Sequence, residues 1–394
     1  MPHPRERLPH PQERLPHPYF FLASALWNFG LGMTWLVVPL FAYSQGLSNA
    51  EIGLLFAAPV LAQAPLNLAG GAYTDRIGGR RIMLASCLVT VAVGLWFLAA
   101  DGFWMLMAGQ IGLVLSRAAF WPATWAMASE LPGVRGLQLG RLNAVTNLGQ
   151  ILGTALSGFL LALAGFQAAF VALTVVGLVS FLAGLGTPRA AARAASHPHS
   201  VLGTYRPLLG QPIILYSMMC AYLSALPFSL SISFYPLFLA QYGYGEEASG
   251  ILIALRALGS IAASLLAAGF VRTGPQTLWP VACGLAVAAA IGLMPTVNHA
   301  VPIGLWMLIV GAGSAAMTIY FQITISEASG PESRGSALAL GGLGWSVSHL
   351  STPLIMGFLA DRYGLVTGFY VLGALAVLTA IAIAWMRRWA FAKK

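Results

Sequence analysis

Apolar residues run along this chain in blocks, one after another from near the start to near the end, with short polar turns between them. Each block is long enough to cross a bilayer, which takes roughly 20 residues of helix. Twelve such spans can be drawn. Six precede a polar stretch: Phe20–Phe41, Ala50–Tyr73, Ile82–Ala100, Phe103–Ser129, Leu142–Ala164 and Gln167–Leu185. Six follow it: Ile213–Ala240, Ala248–Val271, Leu278–Met294, Pro302–Ser326, Ser336–Ala360 and Leu365–Met386. The expected fold is therefore an all-α integral membrane protein built from two parallel six-helix repeats. The expected divisions are a tail at 1–19, a bundle at 20–186, a linker at 187–210, a second bundle at 211–388 and a tail at 389–394.

Composition strengthens this picture. Hydrophobic residues make up 58% of the chain and charged residues 8%. A soluble domain carries about 25% charged residues, so too few are present to cover a water-facing surface.

Charge placement tests the helix count independently. With a cytoplasmic N-terminus, 17 of the 20 Lys and Arg fall in inner segments, and only Arg362 falls in an outer loop. Arg117 and Arg256 lie inside spans. Basic residues stay on the cytoplasmic side during insertion, and an even number of spans with both ends inside produces this alternation. The expected location is the cell inner (plasma) membrane, multi-pass. The net charge of +9 then needs no nucleic-acid partner.

Other chemistry is sparse. Cys87, Cys220 and Cys283 fall in apolar spans, where a thiol packs as a small hydrophobe, and they form no metal-ligand spacing. The first residues repeat Pro-His-Pro every seven positions, which forbids helix and reads as a cytoplasmic tail. Metal binding by His3, His10 and His17 is the sharper reading, and the plain tail is preferred. No nucleophile–base pair, phosphate loop or metal spacing points to an enzyme or a cofactor.

An internal repeat points to transport. A shift of 197 residues lays Pro39-Leu40-Phe41 on Pro236-Leu237-Phe238, Gly46 on Gly243, and Gly53 on Gly250. A shift of 199 lays Arg135-Gly136 on Arg334-Gly335, Gly158-Phe159-Leu160 on Gly357-Phe358-Leu359, Gly165 on Gly364, and Phe170 on Phe369. Parallel repeats place a cavity between the halves, which rocking exposes to each side in turn.

The segment from Gly71 through Asp75, Arg76, Gly78, Gly79, Arg80 and Arg81 resembles the signature between the second and third helices of the major facilitator superfamily. Gly79 departs from it, since the family usually has arginine there. The resemblance implies a twelve-helix transporter in which Asp75 gates a conformation and does not bind substrate. The gating set it implies is Gly71, Asp75, Arg76, Gly78, Arg80 and Arg81. Two weaker likenesses follow. Arg117 stands where many proton-linked members keep an arginine, although Trp121 replaces the glycine expected after it. Gly149, Gly153 and Gly158 resemble an exporter motif whose proline is replaced by Thr154, and small residues at such spacing also serve plain helix packing.

Ionisable groups inside a bilayer are costly and mark function by default. Every Asp and Glu falls in a tail, a loop or the last turns of a span, whereas Arg117, Arg256 and His349 lie within spans. These three are the candidates for substrate or coupling contacts, and such a set without a carboxylate should attract an anion. Asn28, Trp35, Asn67, Trp121, Tyr235, Tyr320, Gln322 and Trp345 are candidate cavity-lining residues, with packing between helices as the alternative. The expected function is secondary transport of a small organic solute, anionic or amphipathic. The expected partners are that solute, the lipid bilayer and a coupling proton or anion, with the protein a monomer. A multidrug:proton antiporter is the alternative, and a membrane receptor a more distant one.

Overall fold

The computed structural model describes residues 17–132, 135–187, 210–267, 271, 273, 274, 276–328 and 334–391. Within them the chain forms α1 (Pro18–Ser44), α2 (Asn49–Ile77), α3 (Gly79–Leu98) and α4 (Gly102–Glu130). A continuous run, Arg135–Leu185, turns sharply at Gly165 and so gives α5 (135–164) and α6 (166–185). The second half holds α7, made of Pro212–Ser231 and a short continuation Tyr235–Gln241, then α8 (Glu246–Ala267) and α9 (Trp279–Leu293). It closes with α10 (Ala300–Ala328), α11 (Arg334–Tyr363) and α12 (Leu365–Ala390). These are the twelve spans, and the protein is an all-helical, multi-pass membrane protein. All but α2 and α11 lie in stretches apolar enough, over the described residues, to cross a membrane. Those two helices pack along each other between the halves.

Several boundaries differ from the sequence reading, the fifth helix among them, which begins at Arg135 and not at Leu142, and three have a local physical cause. The first is the N-terminal tail, which gives way to helix at Pro18, because proline at the first helical position loses no hydrogen bond. The second is the last helix. It runs through Ala390 and takes in two residues assigned to the tail, with Arg387 and Arg388 in its final turn, where the helix dipole favours cations. Arg387 also donates to the Thr277 carbonyl at 3.2 Å. The third is the seventh span, which is broken at Ile232–Phe234. Pro236 favours a break, since its ring collides with the carbonyl four residues back, that of Ile232. Ser231 and Ser233 support it by donating to the carbonyls of Pro227 and Ser229.

The two halves are built alike. Packing of α1 on α5, α2 on α4 and α3 on α4 is echoed by α7 on α11, α8 on α10 and α9 on α10. The matched glycines of the repeat explain themselves. Gly165 and Gly364 both adopt positive φ, 73° and 86°, at the equivalent hairpin turns. Two further pairs, Gly53 with Gly250 and Gly158 with Gly357, hold the halves together. A Cβ on Gly53 of α2 would sit 2.3 Å from the Pro353 carbonyl of α11, with the Gly357 Cα at 3.3 Å. A Cβ on Gly158 of α5 would sit 2.3 Å from the Glu246 carbonyl of α8, and one on Gly250 would meet the Gly158 Cα at 3.4 Å. Only glycine permits so close an approach of backbones.

Large apolar side chains point outward around the bundle, among them Leu163 at 84% exposed and Leu265 at 78%. In water such a surface would aggregate; in a bilayer it meets lipid. Exposed Tyr19, Trp385 and Trp389 stand at the end that carries the chain termini, and Trp104 and Tyr363 at the other. Aromatic rings concentrate in this way at both membrane–water interfaces.

Candidate functional site

A cavity lies between the halves. The first half lines it with Leu31, Thr34 and Trp35 of α1, Phe56, Pro59, Val60 and Gln63 of α2, and Gln110, Leu113 and Arg117 of α4. The second half contributes Ile232, at the break in α7, and His349 of α11. Irregular backbone at membrane depth is tolerated where it lines such a space. About 460 Å³ is empty, counting the part that merges with open solvent, and about 20 Å³ has room for the centre of a water molecule. In this conformation the cavity admits water and is too narrow for an organic solute.

Two of the three candidate cations meet here. Arg117 sits midway along α4, and its Nε is buried without a hydrogen-bond partner. His349 places Nδ1 2.7 Å from the Trp345 carbonyl. A carbonyl only accepts, so Nδ1 carries the proton, and Nε2 is left as the nitrogen whose protonation sets the ring's charge. The His349 ring stacks on Trp345, with centroids 5.6 Å apart and planes at 19°, and lies 5.3 Å from Phe228. Trp35 meets Phe228 edge-on at 5.0 Å, so an aromatic contact joins α1 to α7 across the halves. The Trp35 Nε1 is buried and unpartnered.

Arg256 does not line this cavity. It is 6% exposed on α8, and its guanidinium lies 5.4 Å from the Phe228 ring centroid. The acids among the described residues stand apart from all three cations. Glu51 lies in the first turn of α2, Asp101 caps α4, and Glu130 ends it. Glu246 and Glu247 open α8, while Glu327 and Asp361 lie in the last turns of α10 and α11.

The other candidates scatter. Trp35 lines the cavity, whereas Trp345 stands behind His349 and donates to the Ser224 hydroxyl at 3.1 Å. Asn28 is fully buried and accepts from Gln150 at 2.7 Å, tying α1 to α5. Trp121 packs against Trp27 and Trp125. Tyr320 shares a hydrogen bond with Tyr216 at 2.9 Å inside the second half, Tyr235 is fully buried, and Gln322 is exposed. The side chain of Asn67 falls outside the described residues.

Of the gating set, Gly71 and Asp75 lie in α2 with surroundings outside the described residues, and Arg76 and Arg81 are exposed. Gly78 ends α2 and caps α3 at φ 90°. Arg80 donates to the Leu185 carbonyl at the end of α6. The exporter-like glycines divide. A Cβ on Gly149 or Gly153 would collide with the α1 backbone, and Thr154 donates to the Gly32 carbonyl at 2.9 Å, so these residues pack α5 on α1. Sequence reasoning missed Thr34, Gln63, Gln110 and Phe228. Gln110 had a signal, since it lies seven residues before Arg117 and so shares its helix face.

The family model of the Major Facilitator Superfamily matches residues 20–310. Quinolone resistance protein NorA of Staphylococcus aureus is 25% identical over 133 residues, a stretch covering 33% of this chain and 34% of NorA. The MFS-type transporter YqjV of Bacillus subtilis (strain 168) is 22% identical over 349 residues, 86% of this chain and 84% of YqjV. Among solved structures, nucleoside transporter NupG superposes with a TM-score of 0.76 at 14% identity, over 93% of this chain and 98% of that one. A bacterial homolog of the human lysosomal transporter Spinster, inward-facing and unoccupied, gives 0.75 at 16% identity over 96% and 98%. At such identities the structural likeness concerns the fold.

Proposed function

Because this chain belongs to the Major Facilitator Superfamily, we propose that it is a secondary transporter that moves a small anionic or amphipathic organic solute by alternating access. The observation that carries this reading is the shared cavity of Arg117 and His349, walled by aromatic rings and amides and without a carboxylate among the described residues. A guanidinium offers paired donors that match a carboxylate or phosphate, and it is always charged. Gln63, Gln110 and Thr34 supply neutral hydrogen-bonding groups, and Trp35 and Phe56 supply apolar faces for the solute's body. The contracted volume means that the halves part on one side when solute binds.

His349 serves coupling in this reading. A proton at Nε2 would add a second positive charge beside Arg117, so anion binding and protonation favour each other. The chain sits in the cell inner membrane with both termini cytoplasmic, acts as a monomer and uses no cofactor. Asp75 acts in gating, near the end of α2 and far from the cavity.

Uptake into proteoliposomes tests the proposal, using acidic, neutral and cationic solutes with and without a pH gradient. Preference for acidic solutes supports it. Preference for cationic ones favours the second reading, a multidrug:proton antiporter working in efflux, which the similarity to NorA supports.

A further inference from the structure

Arg256 is a buried cation that the cavity does not use. Its Nε has no hydrogen-bond partner, and its guanidinium rests against the ring of Phe228. A cation–π contact offsets only part of the cost of taking a charge out of water, and a guanidinium has five donors to satisfy. Tyr235 is a second unfinished group. It is fully buried, its hydroxyl has no partner, and it interacts electrostatically with Arg256. Two unpartnered donors, both more than nine-tenths buried, thus interact with each other, Arg256 resting against Phe228 and Tyr235 stacked on Phe369 at 5.9 Å.

The Phe228 ring also touches the cavity. Phe228 meets Trp35 at 5.0 Å and His349 at 5.3 Å, and both of these line the cavity. The α7 break at Ile232–Phe234 falls one turn after Phe228 and immediately before Tyr235. Ile232, within the break, is part of the cavity wall. Phe228 and Tyr235 therefore flank the turn at which Pro236 removes one N–H from the hydrogen-bond ladder of α7.

We propose that Arg256 and Tyr235 form a second anion subsite, closed off from the cavity by Phe228, which a carboxylate enters when that ring turns aside. The ligand is a dicarboxylate: one end is held at Arg117 and the other, after Phe228 moves, by the guanidinium fork of Arg256 and the Tyr235 hydroxyl. Phe228 is then a specificity-determining residue, separating solutes that carry a second anionic end from those that do not. The inference rests on the anion reading of the Arg117 cavity.

Binding to the purified full-length protein tests it, with monocarboxylates from butyrate to octanoate compared with dicarboxylates from succinate to suberate. One dicarboxylate length should bind roughly tenfold or more tightly than its monocarboxylate counterpart, as expected for an added charge-assisted contact. Arg256→Gln should erase that difference while leaving monocarboxylate affinity unchanged, which also shows that the variant is folded. Arg256→Lys should restore only part of it, because an ammonium lacks the planar fork. Tyr235→Phe should reduce the difference, and Phe228→Ala should leave it intact while speeding dicarboxylate association. If Arg117→Gln weakens monocarboxylates but Arg256→Gln leaves the dicarboxylate preference untouched, the second subsite is wrong and the anion cavity stands. If no carboxylate of either series binds the parent protein, both fail.

Discussion

Removing the carboxylate of Asp361 should loosen the molecule at the face where the α1–α2 turn meets the α11–α12 turn. Asp361 lies in the last turn of α11, yet it caps a helix of the other half. Its Oδ1 accepts from the Asn49 backbone N–H at 2.8 Å and from Asn49 Nδ2 at 3.0 Å, and its Oδ2 accepts from the Ala50 N–H at 2.9 Å. The first N–H groups of α2 have no partner within their own helix, and the helix dipole draws negative charge to them. Capping of this kind is worth about 0.5–2 kcal/mol in general. Exposure of Asp361 argues for the lower part of that range, about 1 kcal/mol, after screening. The bonds join two halves, so they are lost when the halves part. Asp361→Ala should then raise the ratio of open to closed molecules at this face by about fivefold. Spin labels at Leu163 of α5 and Val301 of α10, both on the exposed surface, would read the separation as a distance distribution. Ser48→Ala is the control. Ser48 and Glu51 form a capping box on the same helix end but within one half. It should reduce stability without lengthening the distance. Identical distributions for Asp361→Ala and the parent protein would refute the argument, and so would an equal lengthening by Ser48→Ala.

Three further outcomes follow from the same account. Gly357→Val should hold the halves apart at this face more strongly than Asp361→Ala does, because a Cβ there would lie 2.4 Å from the Asn49 carbonyl; an unchanged distance distribution would contradict it. Asp75→Asn should slow transport at least severalfold with solute affinity nearly intact, and normal turnover with lost binding would move Asp75 into the site. Cysteines placed at Ser200 and Ser333 should react with impermeant thiol reagents from the cytoplasmic side alone, and one at Asn298 from outside alone. Labelling of the Ser200 and Asn298 positions from the same side would break the proposed orientation.

Most of the architecture was legible because bilayer physics writes it coarsely. A span needs some twenty apolar residues, so each helix announces itself, and the duplicated glycines mark the same turns and close approaches in both halves. The break in α7 was less visible. Pro39 of α1, the repeat partner of Pro236, leaves its helix unbroken, so proline alone did not decide; the adjoining serines tip the second half. Legibility stopped at helix rotation. Arg117 and His349, which line the cavity, stood out in the sequence because charge inside a bilayer is conspicuous wherever it points. Gln322, by contrast, is as polar as Gln63 but faces outward, and Asn28 spends its amide on α5. Phe228 gave no sign at all, since one phenylalanine among twenty acquires a role only from what surrounds it. Asp361 read as an ordinary loop acid for the same reason: its partners lie 311 and 312 residues away in the chain.

The central claim is that Arg117 binds the charged part of a transported anion in the cavity between the halves. Uptake of benzoate and of its neutral analogue benzamide into proteoliposomes, by the parent protein and by Arg117→Gln, tests it most directly. The account predicts that the parent protein prefers benzoate, and that Arg117→Gln lowers benzoate uptake at least tenfold, about what a buried charged hydrogen bond contributes. Benzamide uptake should change little. Equal uptake of the two solutes by the parent protein, or a benzoate rate that survives Arg117→Gln, would contradict it.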